Sequence, residues 1–278
     1  MSRASRSRST GDVISGANTS DRAPIELARR EPLRREPLRF GRIVLIGGGC
    51  YGSWYAQQLT RATEHGALCA DEIVVVDRDP NCLAATRLAA GAFRKAPLRL
   101  EVATWVDYLA QWLASGTSSL QRDAMVPSPL MPHLCLDWLV ARAKRRWPTR
   151  EIAVVPLPVT PPMPWERAAP DGRHYVSFAT WTCPVNCIEP VKCPATRGVR
   201  DWSMPPALQA FVAEQPDAID GALIFHCEHR TYGVGMIDAH RIAGADDQLA
   251  AWTRDAPLRV LVGTVSHCHG ALGILSIT

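Results

Sequence analysis

Three cysteines fall within eleven residues in Trp181-Thr182-Cys183-Pro184-Val185-Asn186-Cys187-Ile188-Glu189-Pro190-Val191-Lys192-Cys193-Pro194. Prolines after Cys183 and Cys193 stiffen this loop, which lowers the entropy lost when several thiolates converge on one ion. Thiolate ligands select zinc or an iron–sulfur cluster. The C-x3-C-x5-C spacing matches neither the paired C-x2-C of a zinc ribbon nor the C-x2-C-x2-C-x3-C-P run of ferredoxins. The metal therefore stays open, as does a disulfide or a set of reduced thiols in its place. A fourth ligand must come from elsewhere, and two runs offer one, His226-Cys227-Glu228-His229 and His267-Cys268-His269, each following an apolar strand. Cys227 is the expected fourth ligand because it completes an all-thiolate set. His226, His229, His267 and His269 are the expected catalytic residues, as proton carriers or second-choice ligands, since imidazole titrates near neutral pH.

A second pattern is Gly47-Gly48-Gly49-Cys50-Tyr51-Gly52, directly after the apolar run Ile43-Val44-Leu45-Ile46 and directly before a helical stretch. Gly47, Gly49 and Gly52 stand in G-x-G-x-x-G order. The first turns the chain, the second lets backbone approach a pyrophosphate, and the third lets helix approach strand. The phosphate would rest on the helix N-terminus, where amide N–H groups lack partners and the macrodipole is positive. No G-K-[ST] follows, so this is not a P-loop. Ile73-Val74-Val75-Val76-Asp77 supplies the next strand, and Asp77, 25 positions beyond Gly52, is the residue type that accepts hydrogen bonds from ribose hydroxyls. The cofactor-binding set is Gly47, Gly48, Gly49, Cys50, Tyr51, Gly52 and Asp77. The cofactor is NAD or NADP: a carboxylate at Asp77 opposes a 2′-phosphate, whereas Arg78 leaves NADP open.

Residues 42–89, with Val74-Val75-Val76-Asp77-Arg78-Asp79-Pro80 leading into Leu83-Ala84-Ala85-Thr86-Arg87-Leu88-Ala89, resemble the Rossmann NAD-binding domain of TrkA-type potassium-uptake regulators. The Gly47-Gly48-Gly49 opening is also similar to precorrin-2 dehydrogenases of sirohaem synthesis. The first resemblance implies that Gly47, Gly49, Gly52 and Asp77 bind the cofactor, and the second implies a tetrapyrrole cleft. Both stop before any catalytic residue.

The elements that must position these residues follow from periodicity. All-apolar runs suit parallel strands buried on both faces, so the expected fold is α/β, a doubly wound, mostly parallel Rossmann-like sheet. Residues 1–40 read as a disordered basic leader, because residues 1–42 carry a net +5 and the remainder −1. The Rossmann domain spans 41–158. A proline- and cysteine-rich irregular insertion spans 159–206, where proline excludes central sheet or helix and only a hairpin through His174–Phe178 is expected. Residues 207–278 are expected to complete the sheet. If their strands run parallel to the first, the cysteine and histidine clusters meet at one rim of it.

At 47% hydrophobic residues the chain can bury a sizeable core, and no apolar run reaches membrane-span length. Nine cysteines, an odd number, argue against a disulfide framework and for the cytoplasm. Interspersed acids and missing aromatics in the leader argue against a nucleic-acid partner. The expected partners are a dinucleotide, a small-molecule substrate or electron-transfer protein, and optionally a second copy of the chain. The resulting reading is an NAD(P)-binding redox enzyme or electron-transfer protein with a cysteine-ligated iron–sulfur or zinc centre. Its alternative is a non-catalytic nucleotide sensor of the TrkA type with a structural zinc knot.

Overall fold

A computed structural model describes residues 36–184, 187–253 and 256–278, so the expected basic leader lies, up to residue 35, outside the described residues. β1 (Leu38–Ile46) leads through α1 (Cys50–Glu64) to β2 (Leu68–Asp77), α2 (Leu83–Ala89), β3 (Leu98–Val102), α3 (Trp105–Trp112), β4 (Ala124–Val126) and α4 (Leu134–Arg146). These strands lie in the order β3-β2-β1-β4, all parallel. Side chains alternate across the sheet as a two-residue period requires. Ile43, Leu45, Ile73 and Val75 pack on one face with Ala56, Leu59 and Ala62 of α1, while Val44, Ile46, Val74 and Val76 pack on the other with α3 and α4. Burying each such Ile, Leu or Val contributes about 1.5–3 kcal/mol, which is why these runs, polar on neither face, fold as interior strands. β1 begins earlier than the expected boundary at residue 41: Leu38 pairs with Leu68 and Phe40 with Ala70, and Phe40 is buried. The neighbouring arginines hide that strand start from a hydrophobicity pattern.

The chain continues as β5 (Ile152–Val155), β6 (Trp165–Ala168), β7 (His174–Ser177), α5 (Met204–Ala213), β8 (Gly221–His226), β9 (Glu228–Thr231), β10 (Val234–Asp238), α6 (Ala239–Trp252), β11 (Leu258–Val265) and β12 (His269–Ile277). It builds two sheets where one is expected. β10 adds to β4 antiparallel and carries β9 at the edge of the first sheet. The second sheet runs β6-β7-β12-β11-β8, with β5 pairing the far end of β12. In it β8 and β11 are parallel, and β12 is antiparallel to β11. The change of sheet takes one residue: β8 ends at His226, β9 starts at Glu228, and Cys227 is the crossing point.

The two sheets share a core. α4 packs on β5, β11 and β12, α6 touches both β8 and β10, and Leu136, Leu223, Val260 and Leu275 join Val44 and Val76 in one apolar cluster. α5 covers the outer face of the second sheet through Met204, Leu208 and Phe211. The protein is thus mixed α/β with both parallel and antiparallel pairing. Among the described residues no helix is long and apolar enough to cross a membrane.

Candidate functional site

The glycine loop follows β1 directly. Gly47 has φ +87°, left-handed backbone that side chains resist, and its N–H donates to the Val76 carbonyl at 2.8 Å. A Cβ at Gly47 or Gly49 would meet nothing within 4 Å, so both face open space, whereas one at Gly52 would lie 1.7 Å from the Gly47 carbonyl oxygen. The three positions therefore divide as turn, open approach and close helix packing. α1 starts with Gly49 as its cap, with no side-chain cap bond and no acidic residue in its first turn, so no side chain caps its first amides. Cys50 and Tyr51 stand exposed on that turn.

Asp77, at the end of β2, closes the loop from the side. Its Oδ2 accepts from Gly48 N–H at 2.6 Å and its Oδ1 from Asp79 N–H at 2.9 Å. Gly47, Asp77 and Arg78 line a cleft of about 390 Å³ together with Ile46, Val76, Thr104, Trp105 and Met131. That volume is in the range of small-molecule sites.

The cysteine segment forms a second site. Cys183, Cys187 and Cys193 line one small pocket, and the fourth thiol in its wall is Cys268, from the tight turn Ser266–Cys268 between β11 and β12. Trp181, Pro184, Pro190 and Pro194 make the remaining wall apolar, apart from Glu189 and Arg200. All nine cysteines are free thiols. N–H groups point at the sulfurs: Glu189 N–H donates to Cys187 Sγ at 3.4 Å and Trp202 Nε1–H to Cys268 Sγ at 3.3 Å. The Thr196 amide, with its hydroxyl and the Ala195 amide, holds the Cys193 thiol below the usual range. Burial pushes Cys183 up, and neighbouring Cys187 and Cys193 add to that. Burial raises Cys268 to about 11. Among the described residues no group of three or more Cys, His, Asp or Glu side chains is arranged to hold a metal ion.

Cys227 stands elsewhere. Its N–H donates to Val265 O at 2.7 Å, its sulfur faces Gly235 of β10, where a Cβ would come within 2.6 Å, and burial pushes its thiol to about 12. It does not line the cysteine pocket, because the crossing between sheets fixes it inward.

The three reactive clusters of the sequence do meet. Register places His226 beside Val265, and His269 beside Ser177 at the end of β7. His229 and His269 line a cavity of about 170 Å³ with Cys183, Cys187, Glu189 and Cys268. His226 and His267 contact each other edge-to-face at 4.6 Å between ring centres, just beside it. Ser177 Oγ pairs with His269 Nδ1 at 3.0 Å and Ser203 Oγ with His267 Nδ1 at 2.8 Å. Burial lowers the pKa of all four histidines, which keeps them neutral at pH 7.

Glu189 holds the assembly and is a residue the sequence reading passes over. Its Oε1 accepts from the Ser266 hydroxyl at 2.5 Å and Cys268 N–H at 3.1 Å, and its Oε2 from His267 N–H at 2.9 Å. Its φ of +49° lies in the left-handed region, a strain of about 1–3 kcal/mol that the three hydrogen bonds offset. Acid is expected to release this latch. Burial alone would raise the Glu189 pKa, but the hydrogen bonds from Ser266, His267 and Cys268, with His229 nearby, outweigh it and hold the carboxyl below its usual range. A depressed folded pKa means that the stabilisation is complete above the ordinary glutamate value of about 4.3 and is lost as pH falls through the lower folded value. Amide exchange at His267 and Cys268 should accelerate as pH falls below about 4.3, beyond its intrinsic pH dependence, and Glu189→Gln should remove that step.

Compared with known families, residues 135–278, just over half of the chain, match AF_1314_C, described as "Uncharacterized protein, C-terminal domain". The chain belongs to that family. The AF_1314_C match runs from α4 to β12, so it includes Cys183, Cys187, Cys193, Cys227, Cys268 and the four histidines, while the glycine loop and Asp77 precede it. No curated protein and no solved structure matches the chain.

Proposed function

We propose that the protein binds NAD or NADP at the Gly47–Gly52 loop and carries a cysteine-ligated metal centre beside it, as a redox enzyme or electron-transfer protein. The observation that carries this reading is the single pocket shared by Cys183, Cys187, Cys193 and Cys268, with His229 and His269 in the adjoining cavity. The parallel order β3-β2-β1-β4, with helices on both faces, supports a doubly wound, Rossmann-like reading of the first sheet. The first-turn amides of α1 hold the pyrophosphate, and Asp77, still with free lone pairs, accepts from the adenosine ribose hydroxyls.

The donor set fits a thiophilic metal by its chemistry: four thiols share an apolar wall, and N–H groups already point at two of the sulfurs. Such a centre would supply one-electron transfer as iron–sulfur, or carbonyl polarisation as zinc. The neutral histidines move protons: His269, paired with Ser177, and His229 face the cavity, while His226 and His267 lie behind them. Nine free thiols suit the cytoplasm.

The closed character of the thiol wall also favours a second reading, a nucleotide-sensing module of the TrkA type with a structural zinc knot. Protein isolated without oxygen separates the readings. The redox reading expects bound iron or zinc, saturable NADH or NADPH binding and turnover with an artificial acceptor; the sensor reading expects zinc, binding and no turnover. A metal-free preparation with full turnover would remove the metal centre from both.

A further inference from the structure

Resting on the metal-centre reading above, we propose that Cys268, not Cys227, is the fourth thiolate, and that with Cys183, Cys187 and Cys193 it encloses a single metal ion rather than a multi-iron cluster. Three observations point there. The pocket lined by these four thiols has a volume of about 10 Å³, near that of a single water-sized sphere. One ion with inward-rotated thiols fits that space; Cys183, Cys187 and Cys268 also border the adjoining cavity of about 170 Å³, but it is the water-sized pocket that all four thiols line.

Second, sulfurs of the pocket already have N–H donors. Cys187 receives the N–H two residues on, from Glu189, at 3.4 Å. Cys268 receives the Trp202 indole N–H from another element. Donors aimed at sulfur stabilise thiolate over thiol and disperse the charge that four thiolates bring to one cation. Arg200, in the pocket wall, adds a positive charge beside Cys193 and Cys268.

Third, the turn carrying Cys268 is fixed from three sides. Glu189 accepts from its amides and from Ser266, Phe178 N–H donates to Cys268 O at 2.9 Å, and Met204 N–H donates to His267 O at 3.0 Å. Cys227 lines neither that pocket nor the adjoining cavity, and its sulfur is turned toward Gly235.

The test is a Co²⁺ titration of the chelator-stripped, reduced full chain, read by sulfur-to-cobalt charge-transfer absorption. The expected result is one Co²⁺ per chain with tetrathiolate intensity. Cys268→Ser should weaken binding by at least roughly 10–100-fold and lower the charge-transfer intensity per ion, whereas Cys227→Ala should leave both unchanged. Cys268→His, which can still ligate, should retain binding with a shifted spectrum, which distinguishes a lost ligand from a lost fold. Weakened binding in Cys227→Ala with Cys268→Ser unaffected would overturn the fourth-ligand assignment and leave the metal-centre reading standing. More than one ion per chain would overturn the single-ion site. Absence of binding by the unaltered chain would sink the metal-centre reading itself.

Discussion

Gly52→Ala is expected to cost about 3 kcal/mol, the upper range for overpacking a tight contact, and to abolish nucleotide binding. The added Cβ would stand 1.7 Å from the Gly47 carbonyl oxygen and 2.8 Å from its carbon. Both are backbone atoms, so no side chain can swing aside; α1 itself must move off the turn. That shift displaces the first-turn amides on which the proposed pyrophosphate contact depends. For a domain of this size the cost corresponds to a fall in Tm of roughly 6–12 °C, measurable by calorimetry with an NADH titration on the same sample. Gly49→Ala is the companion variant. Its Cβ meets nothing within 4 Å, so stability should change little while binding is lost if, as proposed, the phosphates approach through that open space. Unchanged affinity in Gly49→Ala would place the ligand elsewhere.

Asp77→Ala is expected to weaken NADH by roughly 10–100-fold, equivalent to about 1.5–3 kcal/mol for hydrogen bonds to a charged acceptor. The carboxylate accepts from Gly48 N–H at 2.6 Å and lines the cleft, and in the proposed reading its remaining lone pairs take the ribose hydroxyls. Removing it also removes the charge that opposes a 2′-phosphate, and Arg78 lines the same cleft. NADPH affinity should therefore fall less than NADH affinity, or rise. Fluorescence titrations with both cofactors measure the ratio, and an unchanged ratio would show that Asp77 does not read the ribose.

The first sheet is legible because its strands are interior: Ile43–Ile46 and Ile73–Val76 announce themselves by composition, and Gly47 to Gly52 by spacing. β4 is three residues long, too short for any period, and only its neighbours β1 and β10 define it. β12 is central to the second sheet yet diluted by Gly270 and Gly273; a Cβ at Gly273 would come within 2.6 Å of Leu136 of α4, a packing demand no local pattern carries. Because β12 is missed, the turn before it is read as a strand end, and Cys268 is overlooked beside its neighbours. Cys227 looks equivalent in the sequence, but a one-residue crossing between sheets commits it to the interior. Glu189 meets its partners at separations of 77 to 79 residues, so its role exists only in the folded chain.

The grip of Glu189 on Ser266–Cys268 joins the thiol loop to the hairpin of β11 and β12. An occupant of that loop thus clamps the sheet beneath it, and its affinity appears as folding free energy: about 2.7 kcal/mol when present at a hundred times its dissociation constant. How readily the C-terminal half of the chain melts would then report whether its sulfurs are engaged, so a melting curve becomes a gauge of loading.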